Sequence, residues 1–272
     1  MKVIGFYNQK GGCGKSTSVF QVAGFLAKAN KKVLVVDADV QSNVSSSLLV
    51  NSDQLDSEES MSFCDVALGL ADIKDVIQNA PIEIRAGRKP QDIGIDILPS
   101  NKVKEVRHYT DDPYVVKKAL AEVSDNYDYC LIDFPPERPS NDMVNETETF
   151  NLVLMCLIAT DYLIVPCSSD MDSFDGLEYV NKHLEVITSR FNTNTELLGC
   201  FLSNFHVNST SGCFLELCEG PLSDGGIYTG CIVRNSAIIS SASMKAKPLA
   251  YYFENSGPAE DYKHLADYIM SV

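Results

Sequence analysis

Near its start the chain carries the segment KGGCGKST at residues 10–17, which combines glycines, lysines and hydroxyl side chains. It follows a short apolar run, residues 3–7, and precedes an apolar stretch that predicts a helix from about residue 15 to residue 29. Glycines let a backbone approach phosphate oxygens closely and point its N–H groups at them, and a helix N-terminus adds partial positive charge. These residues therefore predict a phosphate cradle at a strand-to-helix junction.

The side chains of this segment suit a phosphate chain bound together with Mg²⁺. Lys15 supplies a point charge for β- and γ-phosphates, and the Ser16 hydroxyl is a ligand for the cation. An ordinary phosphate loop has a glycine five positions before Gly14, where this chain has Gln9, and Lys10 stands beside it. The segment is thus a phosphate loop that departs from the usual pattern and carries a second lysine.

Two further apolar runs end in aspartates. Residues 33–36 precede Asp37 and Asp39, and residues 127–132 precede Asp133, which is followed by a phenylalanine and two prolines. Such runs predict strands buried on both faces of a parallel sheet, and ligands of these sheets collect at the carboxyl ends of the strands. We therefore expect these carboxylates near the phosphate loop, with Asp133 holding the Mg²⁺ shell directly or through water.

These motifs resemble those of the ParA/MinD group of ATPases. Residues 8–17 are similar to the group's deviant Walker A box, and the prefix Asn8-Gln9 resembles the ParA/Soj branch. Residues 37–41 resemble its switch I motif, and residues 132–136 resemble its Walker B motif. The similarity continues through residues 161–167, 174–177, 232–235 and 247–249, of which the last two resemble the loop that holds the nucleotide base. The resemblance thus spans nearly the whole chain.

The resemblance implies a P-loop α/β fold, a doubly wound, mostly parallel sheet with helices on both faces, and an ATPase that uses ATP and Mg²⁺. It implies that Lys15 binds phosphate and that Lys10 reaches the nucleotide across a homodimer formed in the ATP state. Asp39 would orient the attacking water. The other implied contacts are with phosphate (Gly11, Gly12, Cys13, Gly14 and Thr17), with the metal (Ser16, Asp37 and Asp133) and with the base (Arg234 and Asn235).

Hydrolysis in such a dimer would act as a slow switch. Phosphoryl transfer needs mainly positioning and charge stabilisation, so a lysine from the neighbouring subunit couples hydrolysis to dimerisation. The dimer would come apart once the γ-phosphate contacts are lost. The resemblance implies plasmid or chromosome partitioning as the role, and a ParB-like partner that accelerates hydrolysis. Val40 stands where the family usually has proline, a change that leaves the switch carboxylate in place.

Charge bears on whether DNA is a partner. ParA/Soj proteins commonly bind DNA through basic residues near the C-terminus, but Asn235 follows Arg234 where the family usually has a second arginine. The chain has 22 Lys and Arg against 37 Asp and Glu, a net charge of −15, which does not predict a basic surface for a duplex. Non-specific DNA binding therefore follows from the resemblance alone. The remaining basic candidates are Lys245, Lys247, Lys263, and a second group of Lys102, Lys104 and Arg107.

Four other functions share this ATPase core. A MinD-like positioning ATPase should have a basic amphipathic helix at the end, and residues 268–272 do not supply one. An iron-protein reductase needs suitably spaced cluster cysteines, which the sequence lacks. A synthetase or kinase needs a small-substrate pocket, whereas the pair Lys10 and Lys15 favours dimerisation. A scaffold that positions a protein cargo, such as a secretion or conjugation machine, without DNA stays open, because the missing basic surface favours it.

Length and composition predict one domain over residues 1–272, since 272 residues with 45% hydrophobic content can bury a substantial core and no long linker or repeat divides them. The acidic segment 53–60 is predicted to be a loop. Residues 61–77 are predicted to form a helix with an apolar face that includes Phe63, Val66 and Leu70. Further elements are predicted as strands at 95–99, 197–202 and 230–233, and as helices at 113–123 and 258–270.

The remaining features predict a cytoplasmic protein without a membrane partner. The N-terminus has no signal-peptide pattern, and the longest apolar run, residues 152–159, is too short to span a bilayer. The nine cysteines include no CxxC pair and are expected to be thiols. The four histidines, which form no ligand pattern, are His108, His183, His206 and His264.

Overall fold

A computed structural model describes residues 1–49, 57–84, 87–103, 111–139, 150–206 and 209–272. In these ranges the strands are β1 (Lys2–Phe6), β2 (Val33–Asp37), β3 (Gln78–Asn79), β4 (Ile95–Leu98), β5 (Tyr129–Asp133), β6 (Tyr162–Cys167), β7 (Glu196–Phe205) and β8 (Tyr228–Arg234). The helices are α1 (Lys15–Lys28), α2 (Asn43–Leu48), α3 (Phe63–Ala67), α4 (Ile73–Val76), α5 (Val115–Ala121), α6 (Leu152–Ala159), α7 (Met171–Phe191), α8 (Ser209–Leu217), α9 (Ala237–Met244), α10 (Leu249–Tyr252) and α11 (Gly257–Ser271).

The described strands form one sheet in the order β3-β4-β2-β5-β1-β6-β7-β8. Every neighbouring pair is parallel except β3 and β4, which are antiparallel. Strand β1 lies between β5 and β6, so the loop that follows it emerges in the middle of the sheet. This arrangement confirms the predicted doubly wound, mostly parallel α/β fold.

Helices cover both faces of the sheet, which explains why the central strands are apolar throughout. In β2, Val33 and Val35 pack on the face that carries α1, α10 and α11, whereas Leu34 and Val36 pack on the opposite face with α3, α5 and α6. Successive side chains of a strand point to opposite faces, so both sets must be apolar when both faces are covered. Helix α6 is itself buried along its whole length, from Leu152 to Ala159.

The single helix predicted over residues 61–77 is wrong, because two short helices occupy that segment. Gly69 adopts φ +68°, and the N–H of Leu70 donates to the carbonyl of Asp65 at 2.8 Å, which ends α3 with a left-handed glycine. Asp72 then caps α4 by accepting from the N–H of Lys74 at 2.9 Å. As a result Leu70 does not join the buried face and is 73% exposed.

The structure confirms further strands and helices that the sequence predicted. Predicted strands correspond to β4, β7 and β8, and the predicted helices at 113–123 and 258–270 correspond to α5 and α11. None of the nine cysteines forms a disulfide bond, and all except Cys213 are buried. Within the described ranges, no helix is both long and apolar enough to cross a membrane. Residues 53–56 of the predicted acidic loop, Lys104, Arg107 and His108 lie outside the described residues.

Candidate functional site

A cavity of about 680 Å³ lies where β1, β2 and β5 end. Its volume falls in the range of ordinary small-ligand sites. The phosphate loop and the start of α1 form the floor, the segment after β2 forms one wall, and the end of α9 contributes to another. The lining residues are Gly11, Gly12, Gly14, Lys15, Ser16, Thr17, Asp39, Gln41, Asn43, Ser46, Ser47, Pro136, Ser243 and Met244.

The backbone of the loop requires its glycines. Gly12 and Gly14 adopt φ +77° and +87°, a left-handed conformation that side-chain-bearing residues rarely adopt. Cys13, which stands between them, is fully buried, and its thiol donates to the carbonyl of Lys10 at 3.2 Å. Burial raises the pKa of the Cys13 thiol, and the nearby Lys15 opposes this only in part. The Cys13 side chain therefore anchors the loop, and the cavity wall at this point is backbone.

Lys15 lies in the floor of the cavity with 6% of the residue exposed. Its Nζ donates to the carbonyl of Lys10, 3.0 Å away, across the turn of the loop. Ser16 and Thr17 follow it at the start of α1, where backbone N–H groups lack partners within the helix. The structure thus brings together an ammonium group, two hydroxyls and a helix N-terminus, all of which attract anions.

Asp133 lies directly behind this floor at the end of β5. It is completely buried, and neither carboxylate oxygen has a hydrogen-bond partner of ordinary geometry among the described residues. Burial raises the pKa of Asp133 well above its usual value, and repulsion from Asp37 adds to the effect. The Ser16 hydroxyl and the positive charge of Lys15 oppose this rise in pKa only in part.

A buried acid without partners fits a cation, because two lone-pair-rich oxygens otherwise stay unsatisfied. In the described part of the chain no cluster of three or more His, Cys, Asp or Glu could hold a metal ion. Mg²⁺ does not require one, because it keeps several waters and is commonly held by one or two protein groups together with substrate phosphates. Asp133 and Ser16 therefore suit Mg²⁺ that arrives with a nucleotide.

Asp37 lies beside Asp133, since the two residues are register partners in β2 and β5. Its Oδ2 accepts hydrogen bonds from the N–H and the hydroxyl of Ser45, at 2.8 and 2.7 Å, and its Oδ1 accepts from the N–H of Asp39 at 3.2 Å. Burial raises the pKa of Asp37 to about 6, against the opposing effect of Ser45. Because both oxygens are engaged and the residue does not line the cavity, Asp37 is placed to support α2 and the turn that begins at Asp39.

Asp39 does reach the cavity wall. It is 6% exposed, and its Oδ1 accepts a hydrogen bond from the N–H of Gln41 at 2.9 Å. This bond orients the carboxylate within the turn that leads into α2. Gln41, Asn43, Ser46 and Ser47 continue the same wall, and the sequence motifs did not include the last two.

Lys10 points away from the cavity of its own chain. Its Nζ forms an ion pair with Asp170 Oδ1 at 2.5 Å and lies 3.6 Å from Asp172 Oδ2. Hydrogen bonding to Asp170 raises the pKa of Lys10. Burial tends to raise the pKa of Asp170, but hydrogen bonds from Lys10 and Ser168 outweigh this and lower it. Asp170 also caps α7 by accepting from the N–H of Ser173 at 3.0 Å.

Asn8 connects the start of the loop to α7. Its Nδ2 donates to the carbonyls of Pro166 and Ser173, at 2.8 and 3.2 Å, and its Oδ1 accepts from the N–H of Lys10 at 3.0 Å. Gly176 of α7 lies against this amide, and a Cβ there would stand 2.3 Å from Asn8 Oδ1. Asn8 and Gly176 occur in the sequence motifs, but nothing in their spacing indicates that they touch.

Arg234 and Asn235, the predicted base contacts, do not line the cavity. Arg234 Nε and Nη2 donate to the two oxygens of Asp261 at 2.6 and 2.8 Å, and Asn235 Nδ2 donates to Asn204 Oδ1. The cavity instead extends to Ser243 and Met244 at the end of α9. Met244 is 89% exposed, and the buried Ser243 Oγ has no hydrogen-bond partner among the described residues. No motif pointed to either residue.

Three of the basic candidates for DNA contact are paired with acids. Arg234 is bound by Asp261, Lys247 Nζ lies 3.3 Å from Glu83 Oε2, and Lys263 Nζ lies 3.7 Å from Asp267 Oδ2. Lys102 Nζ lies 3.5 Å from Ser46 Oγ, at the wall of the cavity. The positive charges of Arg234, Lys247 and Lys263 are therefore compensated locally.

Comparison with known sequences gives consistent matches over the whole chain. The family model described as an AAA domain matches residues 1–197. The chromosome-partitioning ATPase Soj of Treponema pallidum is 28% identical over 275 residues, covering 99% of this chain and 97% of the relative. The sporulation initiation inhibitor protein Soj of Bacillus subtilis is 29% identical, covering 97% of this chain and 96% of the relative. The chromosome partitioning protein ParA of Caulobacter vibrioides is 26% identical, covering 100% of this chain and 94% of the relative.

Solved structures of lower identity share the fold. Apo McdA from Cyanothece superposes with a TM-score of 0.77 at 18% identity, covering 99% of both chains. A plasmid partition protein of Borrelia burgdorferi bound to AMPPNP gives a TM-score of 0.73 at 20% identity, covering 99% of this chain and 98% of that one. A cobyrinic acid a,c-diamide synthase of Mycobacterium smegmatis with ADP and magnesium gives a TM-score of 0.69 at 21% identity, covering 99% of this chain and 94% of that one. At these identities the likeness concerns the fold alone, and fold does not select among functions.

Proposed function

The chain belongs to the AAA-domain family that includes the ParA/Soj-type partition ATPases, and from this premise we propose that it is a Mg²⁺-dependent ATPase that dimerises on binding ATP. Slow hydrolysis of ATP then causes the dimer to dissociate. Strands from all parts of the described chain enter one sheet, which supports a single ATPase domain over residues 1–272.

The proposal depends mainly on Asp133. This buried carboxylate, whose two oxygens find no hydrogen-bond partner among the described residues, lies behind a phosphate loop whose Lys15 and Ser16 line a cavity of about 680 Å³. An isolated buried charge is costly unless a counter-charge meets it. A Mg²⁺–nucleotide complex supplies that charge, so Asp133 and Ser16 would hold the metal, while Lys15 and the loop N–H groups would hold the phosphates.

The chain's own groups then perform the steps of phosphoryl transfer, which depends mainly on positioning and charge stabilisation. Lys15 exchanges the Lys10 carbonyl for phosphate oxygens. Asp39, oriented by the Gln41 N–H, positions the attacking water at the open side of the cavity. Asp37 keeps α2 in place through Ser45.

Lys10 supports dimerisation as part of this function. Its ammonium group stays outside the cavity of its own chain and is held at the surface by Asp170 and Asp172, with 28% of its side chain exposed. Release from this ion pair would allow it to reach a nucleotide bound by a second protomer. A lysine that acts only across the interface makes hydrolysis depend on assembly.

The proposed cellular role is the partitioning of plasmid or chromosomal DNA in the cytoplasm, together with a ParB-like protein that accelerates hydrolysis. The curated relatives include a chromosome-partitioning ATPase, which supports this role. Sizing the protein with ADP and with a slowly hydrolysed ATP analogue tests the switch. A dimer that forms only with the analogue and needs Mg²⁺ is the expected result, and a monomer in both states would contradict the proposal.

A second candidate function is the positioning of a protein cargo without DNA. The pairing of Arg234, Lys247 and Lys263 with carboxylates favours it, because paired cations release fewer counterions from DNA. Co-sedimentation with duplex DNA, with ATP and Mg²⁺ at two salt concentrations, separates the two roles. ATP-dependent, salt-sensitive binding supports DNA partitioning, and its absence at both concentrations supports cargo positioning.

A further inference from the structure

The floor of the cavity is held from below by a residue that belongs to none of the nucleotide motifs. Ser203 lies near the carboxyl end of β7 and is 2% exposed. Its hydroxyl donates to the carbonyl of Cys13 at 2.5 Å, a contact between residues 190 positions apart. Its Cβ also lies 3.5 Å from the position that a Cβ on Gly14 would take, so the loop rests directly on this strand.

This hydrogen bond fixes one particular peptide group. The carbonyl of Cys13 and the N–H of Gly14 belong to the same planar trans peptide, so they point in opposite directions. When Ser203 holds the carbonyl toward β7, the Gly14 N–H faces the opposite side, and Gly14 lines the cavity there. An N–H that faces the cavity attracts phosphate, whereas a carbonyl oxygen in its place would repel it.

The loop itself does not secure this orientation. Turning the peptide over changes ψ of Cys13 and φ of Gly14, and glycine tolerates both signs of φ. Gly14, at φ +87°, therefore also allows the inverted peptide, and a restraint from outside the loop is needed to exclude it.

We propose that Ser203 is a positioning residue of the phosphate site, which keeps the Cys13–Gly14 peptide in the orientation that presents its N–H to the nucleotide. The inference rests on the proposed function, since it concerns the same site. Ser203 is buried and is not among the residues that line the cavity, so it would act without touching the ligand, by ordering the cradle in advance and lowering the cost of binding. Loss of the hydroxyl should therefore weaken binding of phosphate groups more than it slows the chemical step.

The test compares Ser203→Ala with a matched control, Thr195→Val. Thr195 is also buried and lies just before β7, at the opposite end of that strand from the cavity. Its hydroxyl lies 2.8 Å from the carbonyl oxygen of Thr160 and 3.2 Å from that of Leu157. Both variants remove one buried hydroxyl that donates to backbone carbonyl oxygen, so they should lose similar thermal stability. Titration calorimetry with ADP and Mg²⁺, and steady-state ATP hydrolysis, report on the site.

For Ser203→Ala we expect the Kd for ADP and the KM for ATP to rise about tenfold, with kcat within about twofold, because the interaction serves ground and transition state alike. Thr195→Val should leave Kd and KM within about twofold. If Ser203→Ala does not fold, Ser203→Cys keeps a short side chain that fills the site but weakens the donor, and should still raise Kd severalfold.

The inference is overturned if the Ser203 variants bind ADP as the wild type does, if they lower kcat at unchanged KM, or if Thr195→Val weakens binding equally. In those cases the wild type still binds and hydrolyses ATP, so the proposed function stands. A folded wild type that does not bind ADP or ATP at all would instead refute the proposed function, and the inference with it.

Discussion

Lys10 and Asp170 form an ion pair within one chain, and the same aspartate caps α7. The loop lysine and the first turn of α7 are therefore held by one carboxylate. Any event that draws Lys10 toward another molecule must break this pair, so the pair opposes assembly.

Asp170→Asn should strengthen dimerisation. Asparagine keeps the cap on α7, since its side-chain oxygen still accepts from the Ser173 N–H, but it gives up the charge that holds Lys10. Because the pair is partly exposed, its loss should lower the dimer dissociation constant by only about two- to fivefold. Sedimentation with the ATP analogue over a range of protein concentrations measures this. Asp175→Asn, exposed on the same helix, serves as the control, and an equal effect there would contradict the explanation.

The two loop lysines should differ in what they disrupt. Lys15→Ala removes the ammonium group from the cavity floor, and we expect ADP affinity to fall by about a hundredfold or more. Lys10→Ala leaves the cavity lining intact and should keep ADP affinity within a few-fold, while the ATP-state dimer is lost. Titration calorimetry and sizing on the two variants distinguish them. Similar loss of ADP binding in both would show that Lys10 acts within its own site.

Asp39→Ala should separate binding from turnover. The cavity keeps its phosphate loop, so ATP affinity should change little, but the attacking water loses the carboxylate that orients it. We expect hydrolysis to fall by about a hundredfold and the dimer to persist in ATP. Phosphate release and sizing on the same sample measure both effects. Turnover at the wild-type rate would remove Asp39 from the mechanism.

Asp133→Asn should stabilise the metal-free protein while abolishing activity. Burial and Asp37 raise the pKa of Asp133, so its ionised form is unfavourable in the folded state. Replacing a buried unpartnered acid should raise the free energy of unfolding in EDTA by on the order of 1–3 kcal/mol. Denaturant unfolding of the variant and the wild type, in EDTA and in Mg²⁺–ATP, measures the free energy of unfolding in each state. Lower stability of the variant in EDTA would mean that Asp133 is not an uncompensated charge.

The raised pKa values of Asp37 and Asp133 should make the stability of the protein depend on pH. For Asp37 and Asp133 the pKa is raised above the unfolded value of 3.8, to about 6 for Asp37. Their contribution to stability is therefore fully present below about pH 4 and is lost as pH rises through the folded-state pKa values. The advantage of Asp133→Asn in EDTA should accordingly grow from pH 4 toward neutrality. An advantage that is constant with pH would contradict an electrostatic origin.

Substitutions at Gly176 and Asn8 should have coupled effects on stability. An alanine Cβ would collide with Asn8 Oδ1, so the single variant should lose about 1–3 kcal/mol of stability and bind ADP less tightly. In Asn8→Ala/Gly176→Ala the amide is gone and the Cβ has room. Gly176→Ala should therefore cost less stability in the Asn8→Ala background than in the wild type. A double-mutant cycle of unfolding free energies measures this difference. Additive losses would mean that the contact is not the cause.

Local pattern and motif were enough to predict a mostly parallel sheet and a glycine-rich loop at the junction of β1 and α1. Continuous apolar runs such as residues 33–36 belong to strands covered on both faces, and the strand-terminal aspartates must then meet at one edge. The break at Gly69 was missed because the apolar spacing of residues 61–77 fits a helix, whereas the glycine conformation that interrupts it is set by the surrounding packing.

Contacts over long sequence separations could not be inferred in the same way. Lys10 with Asp170, Cys13 with Ser203 and Arg234 with Asp261 depend on which strands neighbour each other and on how each loop turns. The pairing of Arg234 in particular moves it away from the predicted base contact. Ser243 and Met244 reach the cavity only because α9 packs beside α1.

The two ends of the cavity come from different parts of the chain. Lys15, Asp39 and Asp133 lie within residues 1–197, the span shared with the family model, whereas Ser243 and Met244 lie beyond it. Substitutions at Ser243 or Met244 would therefore reshape one wall of the cavity while leaving Lys15 and Asp39 in place. The far end of the cavity can change shape independently of the phosphate loop.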